Sequence, residues 1–307
     1  MTVRYAAIDF GTNTARLLIA ERVAGRLNVL HCQREIVRLG GGFTREHGLS
    51  AAAQQRGLSC LVRFAAEIGR FEVSKVRASA TSAVRDAVNG REFVETVLEQ
   101  TGITLNVISG ELEGKLTLKG VISGLDTAHE ELVVLDVGGG STEFTISHNN
   151  VPVFVKSMPM GVVRLTEGFA TIDAITARIR FILDDLMAEL ASAAVTVRPG
   201  SVLIATAGTA TTLAAMQMEM NEYDYRLVNN YVMQRSAIDV LYGRLMPLTP
   251  AERLSIPGLE AGREDLIIAG MLILIGVMER FGFNAMKVSD FGLLEGLALS
   301  DEELTQG

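Results

Sequence analysis

Asp9 and Asp136 each close an apolar run and open a turn of small and hydroxyl-bearing residues. Asp9 follows Ala6, Ala7 and Ile8 and leads Phe10, Gly11, Thr12, Asn13 and Thr14. Asp136 follows the apolar residues 132–135 and leads Val137, Gly138, Gly139, Gly140, Ser141 and Thr142. A second apolar run follows each turn, at 17–19 and at 144–146. Small residues let backbone N–H groups close on an anion, and a leading carboxylate can hold a cation beside it. Two such turns facing each other would clamp a phosphate chain together with its metal. One Gly-rich hairpin alone is equally well ordinary turn chemistry. The repeated spelling, Asp first and hydroxyls in register, is what points to a ligand.

Five further segments place Gly, Ser, Thr and Arg where a strand gives way to a helix. Arg38 precedes Gly40, Gly41 and Gly42, and Ser79, Thr81 and Ser82 precede Arg85. Helix starts favour anions, and arginine meets phosphate oxygens in bidentate fashion. Ser109 and Gly110 lead Glu111, Leu112 and Glu113; the segments at 161–166 and 206–212, the latter with Gly208 and Thr209, complete the set. Asp136 and Glu143 are candidate Mg2+ ligands, since Mg2+ takes oxygen ligands and keeps several waters. Asp9 is a further candidate. Glu113 is the candidate base for a water attacking the terminal phosphoryl group. No Ser/His/Asp or Cys/His arrangement stands out, which disfavours a phosphoryl-enzyme.

The elements that must position these residues alternate between strands and helices. The chain opens as strand, turn, strand, with a third strand near 27–33. Ser50 caps a helical pattern to about Phe71 with Leu58, Leu61, Val62, Ala65 and Ile68 on one face. A strand is expected at 73–78, a helix from Ala83, a helix at 91–100, a short strand at 105–108 and a helix at 111–123. A long amphipathic helix is expected at 172–195, and a strand at 201–205 running into another helix. Two related α/β halves follow, 1–120 and 121–292, with a terminal helix at about 293–307 returning to the first; a cleft between the halves is the natural substrate site.

With 307 residues, 48% hydrophobic and 21% charged, the chain has ample material for a folded core. A net charge of −8 argues against general nucleic-acid binding, which needs a basic face. The two cysteines, Cys32 and Cys60, form no C-x-x-C pair, and His31, His47, His129 and His148 lack metal-ligand spacing. Arg4 and Asp9 interrupt any signal-like run at the start. The apolar stretch 266–278 is too short to span a bilayer and reads as a buried helix. A cytoplasmic protein with no membrane or nucleic-acid partner is expected. The apolar excess, a mean hydropathy of +0.28, is compatible with a homodimer.

Taken together in this order, the segments resemble the exopolyphosphatase/guanosine pentaphosphate phosphohydrolase (Ppx/GppA) family, within the actin-like, sugar-kinase and heat-shock ATPase superfamily. They run I-D-F-G-T-N-T-A-R-L-L at 8–18, V-R-L-G-G-G at 37–42 and A-T-S-A-V-R-D-A-V-N-G at 80–90. I-S-G-E-L-E-G at 108–114, D-V-G-G-G-S-T-E at 136–143 and M-G-V-V-R-L-T-E at 160–167 follow, then A-T-A-G-T-A-T-T-L-A at 205–214 and S-D-F-G-L-L-E-G at 289–296. D-x-G-G-G-S-T-E is the most diagnostic of them. The resemblance implies α/β halves of ribonuclease-H-like fold and Mg2+-dependent cleavage, with Mn2+ as a substitute, of the terminal phosphate of polyphosphate or of pppGpp, giving ppGpp and linking the protein to the stringent response. It implies Glu113 as base, Asp136 and Glu143 as metal-associated carboxylates, Arg38 and Arg85 as phosphate-binding arginines, and Gly139, Gly140 and Ser141 as the phosphate turn.

Two departures from the family pattern stand out. Leu112 takes the place of the first of two adjacent acids, and Leu294 that of an arginine expected to serve interdomain or substrate contacts. The resemblance is to the short two-domain type, which implies that the helical region and long polyphosphate track of longer relatives are missing. Two rival readings remain from the residues: a small-molecule kinase of the same superfamily, and a non-catalytic guanosine-nucleotide-binding switch protein.

Overall fold

The computed structural model describes residues 3–23 and 26–300. Three strands, β1 (Arg4–Phe10), β2 (Thr14–Val23) and β3 (Arg26–Ile36), form an antiparallel meander. Then come α1 (Ala51–Arg70), β4 (Lys75–Ala80), α2 (Ser82–Arg85), α3 (Gly90–Thr101), β5 (Leu105–Val107) and α4 (Gly110–Gly124). The pattern restarts with β6 (Glu131–Val137), β7 (Thr142–His148) and β8 (Val151–Met158), followed by α5 (Val162–Gly168), α6 (Ile172–Ser192), β9 (Val202–Thr206) and α7 (Ala207–Gln217). Next are α8 (Tyr225–Val228), β10 (Val232–Gln234), α9 (Arg235–Leu245), α10 (Pro250–Arg253), α11 (Ile267–Phe281), β11 (Ala285–Val288) and α12 (Leu293–Leu299).

The first sheet has the order β3-β2-β1-β4-β5, with β4 and β5 parallel to the path of β1. The second reads β8-β7-β6-β9-β11, again a meander followed by parallel strands, with β10 added antiparallel at its edge. One topology is thus drawn twice, as two mixed sheets of ribonuclease-H-like α/β fold. The chain divides into two compact units. One holds the described residues up to Ser123 together with those from Leu293, and the other is Gly124–Gly292.

Strand alternation decides which side chains face which helices. In the first unit Ala6, Ile8 and Phe10 enter a core with Leu58, Leu61 and Phe64 of α1 and Phe93 and Val97 of α3. The opposite face sends Ala7, Leu18 and Ala20 against Leu116 of α4 and Leu293, Leu294 and Leu297 of α12. Asp9 and Arg16 share this second face by parity. Arg22 fastens α12 by donating from Nε to Ala298 O (2.8 Å) and from Nη2 to Ser300 O (2.7 Å), cations at a helix C-terminus. In the second unit Val133, Leu135, Val137, Phe144 and Ile146 enter a large core with α6 and α11, so Asp136 and Glu143 lie on the other face.

Several expectations shift by a residue or two, and some change character. Ser50 caps α1 and Phe71 ends it, as the spacing predicts, but Val62 is exposed and Phe64 and Cys60 take the buried stripe. Burial pushes the Cys60 thiol up to about 12, helped by the Glu35 carboxylate beside it, so it stays neutral. The strand expected at 73–78 begins at Lys75, and α6 stops at Ser192. The helix expected from Ala83 is a single turn, α2, because Gly90 packs against the Val84 carbonyl and starts α3 afresh. Leu294, expected at a place for a contact-making cation, is wholly buried in the α12 core, where a guanidinium would lose its water. The terminal helix expected at about 293–307 is seen as Leu293–Leu299, and its expected continuation at 301–307 lies outside the described residues. No described helix is long and apolar enough to cross a membrane.

Candidate functional site

The two Asp-led turns have one geometry. Gly11 N donates to Thr14 O at 3.0 Å, and Gly138 N donates to Ser141 O at 3.0 Å. Each turn links directly paired strands, so Asp9 lies opposite Arg16 and Asp136 opposite Glu143. Directly paired residues project from the same face with their side chains side by side. The two copies therefore carry different chemistry at one position: an acid–guanidinium pair in the first unit and an acid–acid pair in the second.

Both turns are braced from behind by the segment that follows the third strand. Val37 N and Arg38 N donate to Asn13 O (3.0 and 2.8 Å), and Gly40 N donates to Thr12 O (2.9 Å). In the second unit Val162 N donates to Gly138 O (3.0 Å), while Val163 N and Arg164 N donate to Gly139 O (2.8 and 3.2 Å). No described peptide is cis. In a trans peptide the carbonyl and the next N–H point opposite ways. Pinning the carbonyls of Thr12 and Asn13 therefore turns the N–H groups of Asn13 and Thr14 to the front. Pinning those of Gly138 and Gly139 does the same for Gly139 and Gly140. A row of forward N–H groups is an anion cradle.

A Cβ on Gly161 would lie 2.3 Å from the backbone of Gly139 and Gly140. The brace can approach so closely only because residue 161 has no side chain. Gly161→Ala is expected to push the brace off the turn and to lower stability by roughly 1–3 kcal/mol, as overpacking does. Thermal melting of the variant, with Gly168→Ala as the open-space control, checks this.

In the first unit Asn13 is 5% exposed, and neither end of its side-chain amide has a hydrogen-bond partner. Buried amides without partners are uncommon, and a phosphate oxygen on the Nδ2 side is the sort of group that would satisfy one. Thr12 Oγ1 meets Ser82 Oγ at 2.9 Å, tying the turn to α2. Arg38 has φ 46°, a left-handed conformation in which an arginine is strained. Arg56 holds it there, donating from Nε to Val37 O and from Nη2 to Arg38 O, both at 2.9 Å.

Glu113 lies in the first turn of α4 and is 6% exposed. Arg85 Nη1 donates to its Oε2 at 3.1 Å and to Ile108 O at 2.8 Å. The structure thus brings Arg85 and Glu113 together, so Arg85 orients a carboxylate as well as offering charge. Glu111, two residues earlier, is exposed and pairs with Lys115 at 2.6 Å. Leu112 packs against the α12 core. An apolar residue suits the place of the missing acid because that side of α4 is turned inward.

Asp136 is 9% exposed and Glu143 is 2% exposed. The Ser157 hydroxyl donates to Glu143 Oε1 at 2.7 Å. Two neighbouring buried carboxylates repel each other unless a cation or a shared proton intervenes. This donor set fits Mg2+, which takes one or two protein carboxylates and fills its other positions with water and phosphate oxygens. Among the described residues no group of three or more His, Cys, Asp or Glu gathers at a metal-binding spacing, so a cage made wholly of protein ligands is not what these residues offer. The guanidinium opposite Asp9 makes that acid the poorer candidate.

Gly208 and Thr209 open α7, and both are engaged by packing. A Cβ on Gly208 would lie 1.8 Å from the Arg263 guanidinium, and the Thr209 side chain abuts Gly270 of α11. Any phosphate contact there falls to the backbone of the helix start. Sequence reasoning singled out segment 161–166 without assigning Gly161 or Arg164 a role. It missed Arg56 and Ser157 altogether, since nothing in their spacing marks them.

The family model for the Ppx/GppA phosphatase family matches residues 18–305. Exopolyphosphatase 2 of Mycobacterium tuberculosis is 32% identical over 315 aligned residues, covering 97% of this chain and 98% of that protein. A solved structure of the Aquifex aeolicus PPX-GPPA enzyme superposes with a TM-score of 0.80 at 31% identity, covering 98% of this chain and all of that one. A solved exopolyphosphatase from Cytophaga hutchinsonii gives a TM-score of 0.88 at 27% identity, covering 98% and 99%.

Proposed function

The chain belongs to the Ppx/GppA phosphatase family, and from that premise we propose that it hydrolyses the terminal phosphoanhydride of inorganic polyphosphate, of pppGpp, or of both. The observation that carries this reading is the buried Asp136–Glu143 pair beside a turn whose N–H groups are held forward. Asp136 and Glu143 would hold Mg2+, or Mn2+ in its place. When bound, the ion neutralises charge on phosphoryl oxygens. The turns at Gly11–Thr14 and Gly138–Thr142 bind phosphate oxygens through backbone N–H groups, and Asn13 adds its side-chain amide. Arg38 supplies positive charge, and Arg85 fixes the Glu113 carboxylate.

Glu113 accepts a proton from the attacking water as the new P–O bond forms. The bond to the bridging oxygen breaks, and the shortened chain, or ppGpp, leaves with that oxygen. Transfer to water needs no second substrate, and no acceptor pocket is invoked. On the same reading the protein works in the cytoplasm, and its apolar excess is compatible with a homodimer.

Phosphate release measured side by side from long-chain polyphosphate, short-chain polyphosphate and pppGpp, with Mg2+ and with EDTA, tests this. Release from at least one substrate that stops in EDTA is expected. Silence on all three, or phosphorylation of an added sugar or carboxylic acid by ATP in the same preparation, overturns it.

A further inference from the structure

We infer that Arg164 is a positioning residue that turns the Ser141 N–H into the phosphate cradle; this rests on the hydrolase reading above. Arg164 starts from the brace behind the second turn, its own N–H donating to Gly139 O at 3.2 Å. Its side chain then returns to the turn one peptide further on, where Nε donates to Gly140 O at 2.7 Å. The backbone of the brace pins Gly138 O and Gly139 O, which orients the N–H groups of Gly139 and Gly140. Only the Arg164 side chain reaches the third carbonyl, among the hydrogen bonds of the described residues. By the trans-peptide geometry that bond turns the Ser141 N–H the same way as its two neighbours. Three consecutive forward N–H groups make a deeper anion site than two.

The first unit makes the contrast plain. Val163, Arg164 and Leu165 lie in the first turn of α5 beyond β8, and their spelling is repeated by Val37, Arg38 and Leu39 directly after β3. There the brace slides by one residue, and backbone N–H groups of Val37, Arg38 and Gly40 pin the last two carbonyls ahead of Thr14 without help from a side chain. In the second unit the last carbonyl is beyond the reach of the backbone, and an arginine supplies the missing donor. What matters is therefore the Nε–H, placed at a fixed distance along the side chain, and the guanidinium charge is secondary.

Glutamine separates the two, because its Nε2 sits at the same distance along the side chain as arginine Nε and carries no charge. Methionine has the same length and no donor. Arg164→Met is expected to lower kcat on polyphosphate by about 100-fold, the usual loss for a misplaced catalytic group, with KM changed little. Arg164→Gln is expected to stay within a few-fold of the wild type. Equal losses in both variants, with a raised KM, would mean that charge acts on substrate and would overturn the inference; so would full activity of Arg164→Met. Amide exchange at Ser141 in the substrate-free protein reads the turn separately. Faster exchange in Arg164→Met, restored in Arg164→Gln, is expected, and unchanged exchange overturns the positioning role even if the wild type hydrolyses none of the substrates.

Discussion

Glu113→Gln is expected to lower kcat by roughly 10²–10⁴ with little change in KM, the signature of losing a general base. Glutamine keeps the size of the side chain and an oxygen to accept from Arg85 Nη1, so the 3.1 Å contact and the start of α4 survive. What disappears is the lone pair able to take a proton. Because substrate binding rests on the turns and arginines, KM should stay near its wild-type value. The contrast is Glu111→Gln, which removes an exposed carboxylate paired with Lys115 and should leave turnover unchanged. Steady-state kinetics on polyphosphate and pppGpp decide the matter. Near-normal turnover of the Glu113 variant would remove the assigned base.

Glu143→Gln should do the opposite things to activity and to stability. Glu143 lies opposite Asp136 across the strand pair and is 2% exposed, so two acids that repel when both are ionised share one buried patch. Without a divalent ion, the neutral amide relieves that repulsion, and melting in EDTA should rise by roughly 2–4 °C per kcal/mol relieved. With Mg2+ the order reverses. The wild type gains stability from binding the ion, and the variant should gain little. Turnover should fall by roughly 10²-fold or more, as when a group stabilising transition-state charge is lost. A Glu143→Gln protein that keeps the full Mg2+-induced rise in melting temperature would show that the ion is held elsewhere.

Much of this was legible from residue order. The doubled Asp-led turn could be read because hairpin register follows from strand parity: once Asp9 and Asp136 start the turns, Arg16 and Glu143 must lie opposite them. The α1 boundaries could be read because Ser50 is a cap and the apolar spacing is helical. Harder to see was anything set by close approach between distant segments. Gly161 looks like any loop glycine until the turn behind it is in place. Val62 fits the apolar stripe by spacing and is excluded because the stripe is narrower than the pattern. Likewise, Leu294 reads as a lost cation in a motif and as core once α12 lies on β1 and β2.

The placement of α12 sets an order of assembly during synthesis on a ribosome. Residues 124–292 form a unit whose parts are all contiguous, so it can complete itself as soon as they emerge. The unit with Asp9 and Glu113 begins first and finishes last, because Ala7, Leu18 and Ala20 wait for Leu293, Leu294 and Leu297 to cover them. Strands β1 and β2 thus keep one face bare until residues 293–297 have been made. A premature stop before residue 293 would spare the carboxylate pair at Asp136 and Glu143 and strand the acid proposed to activate water.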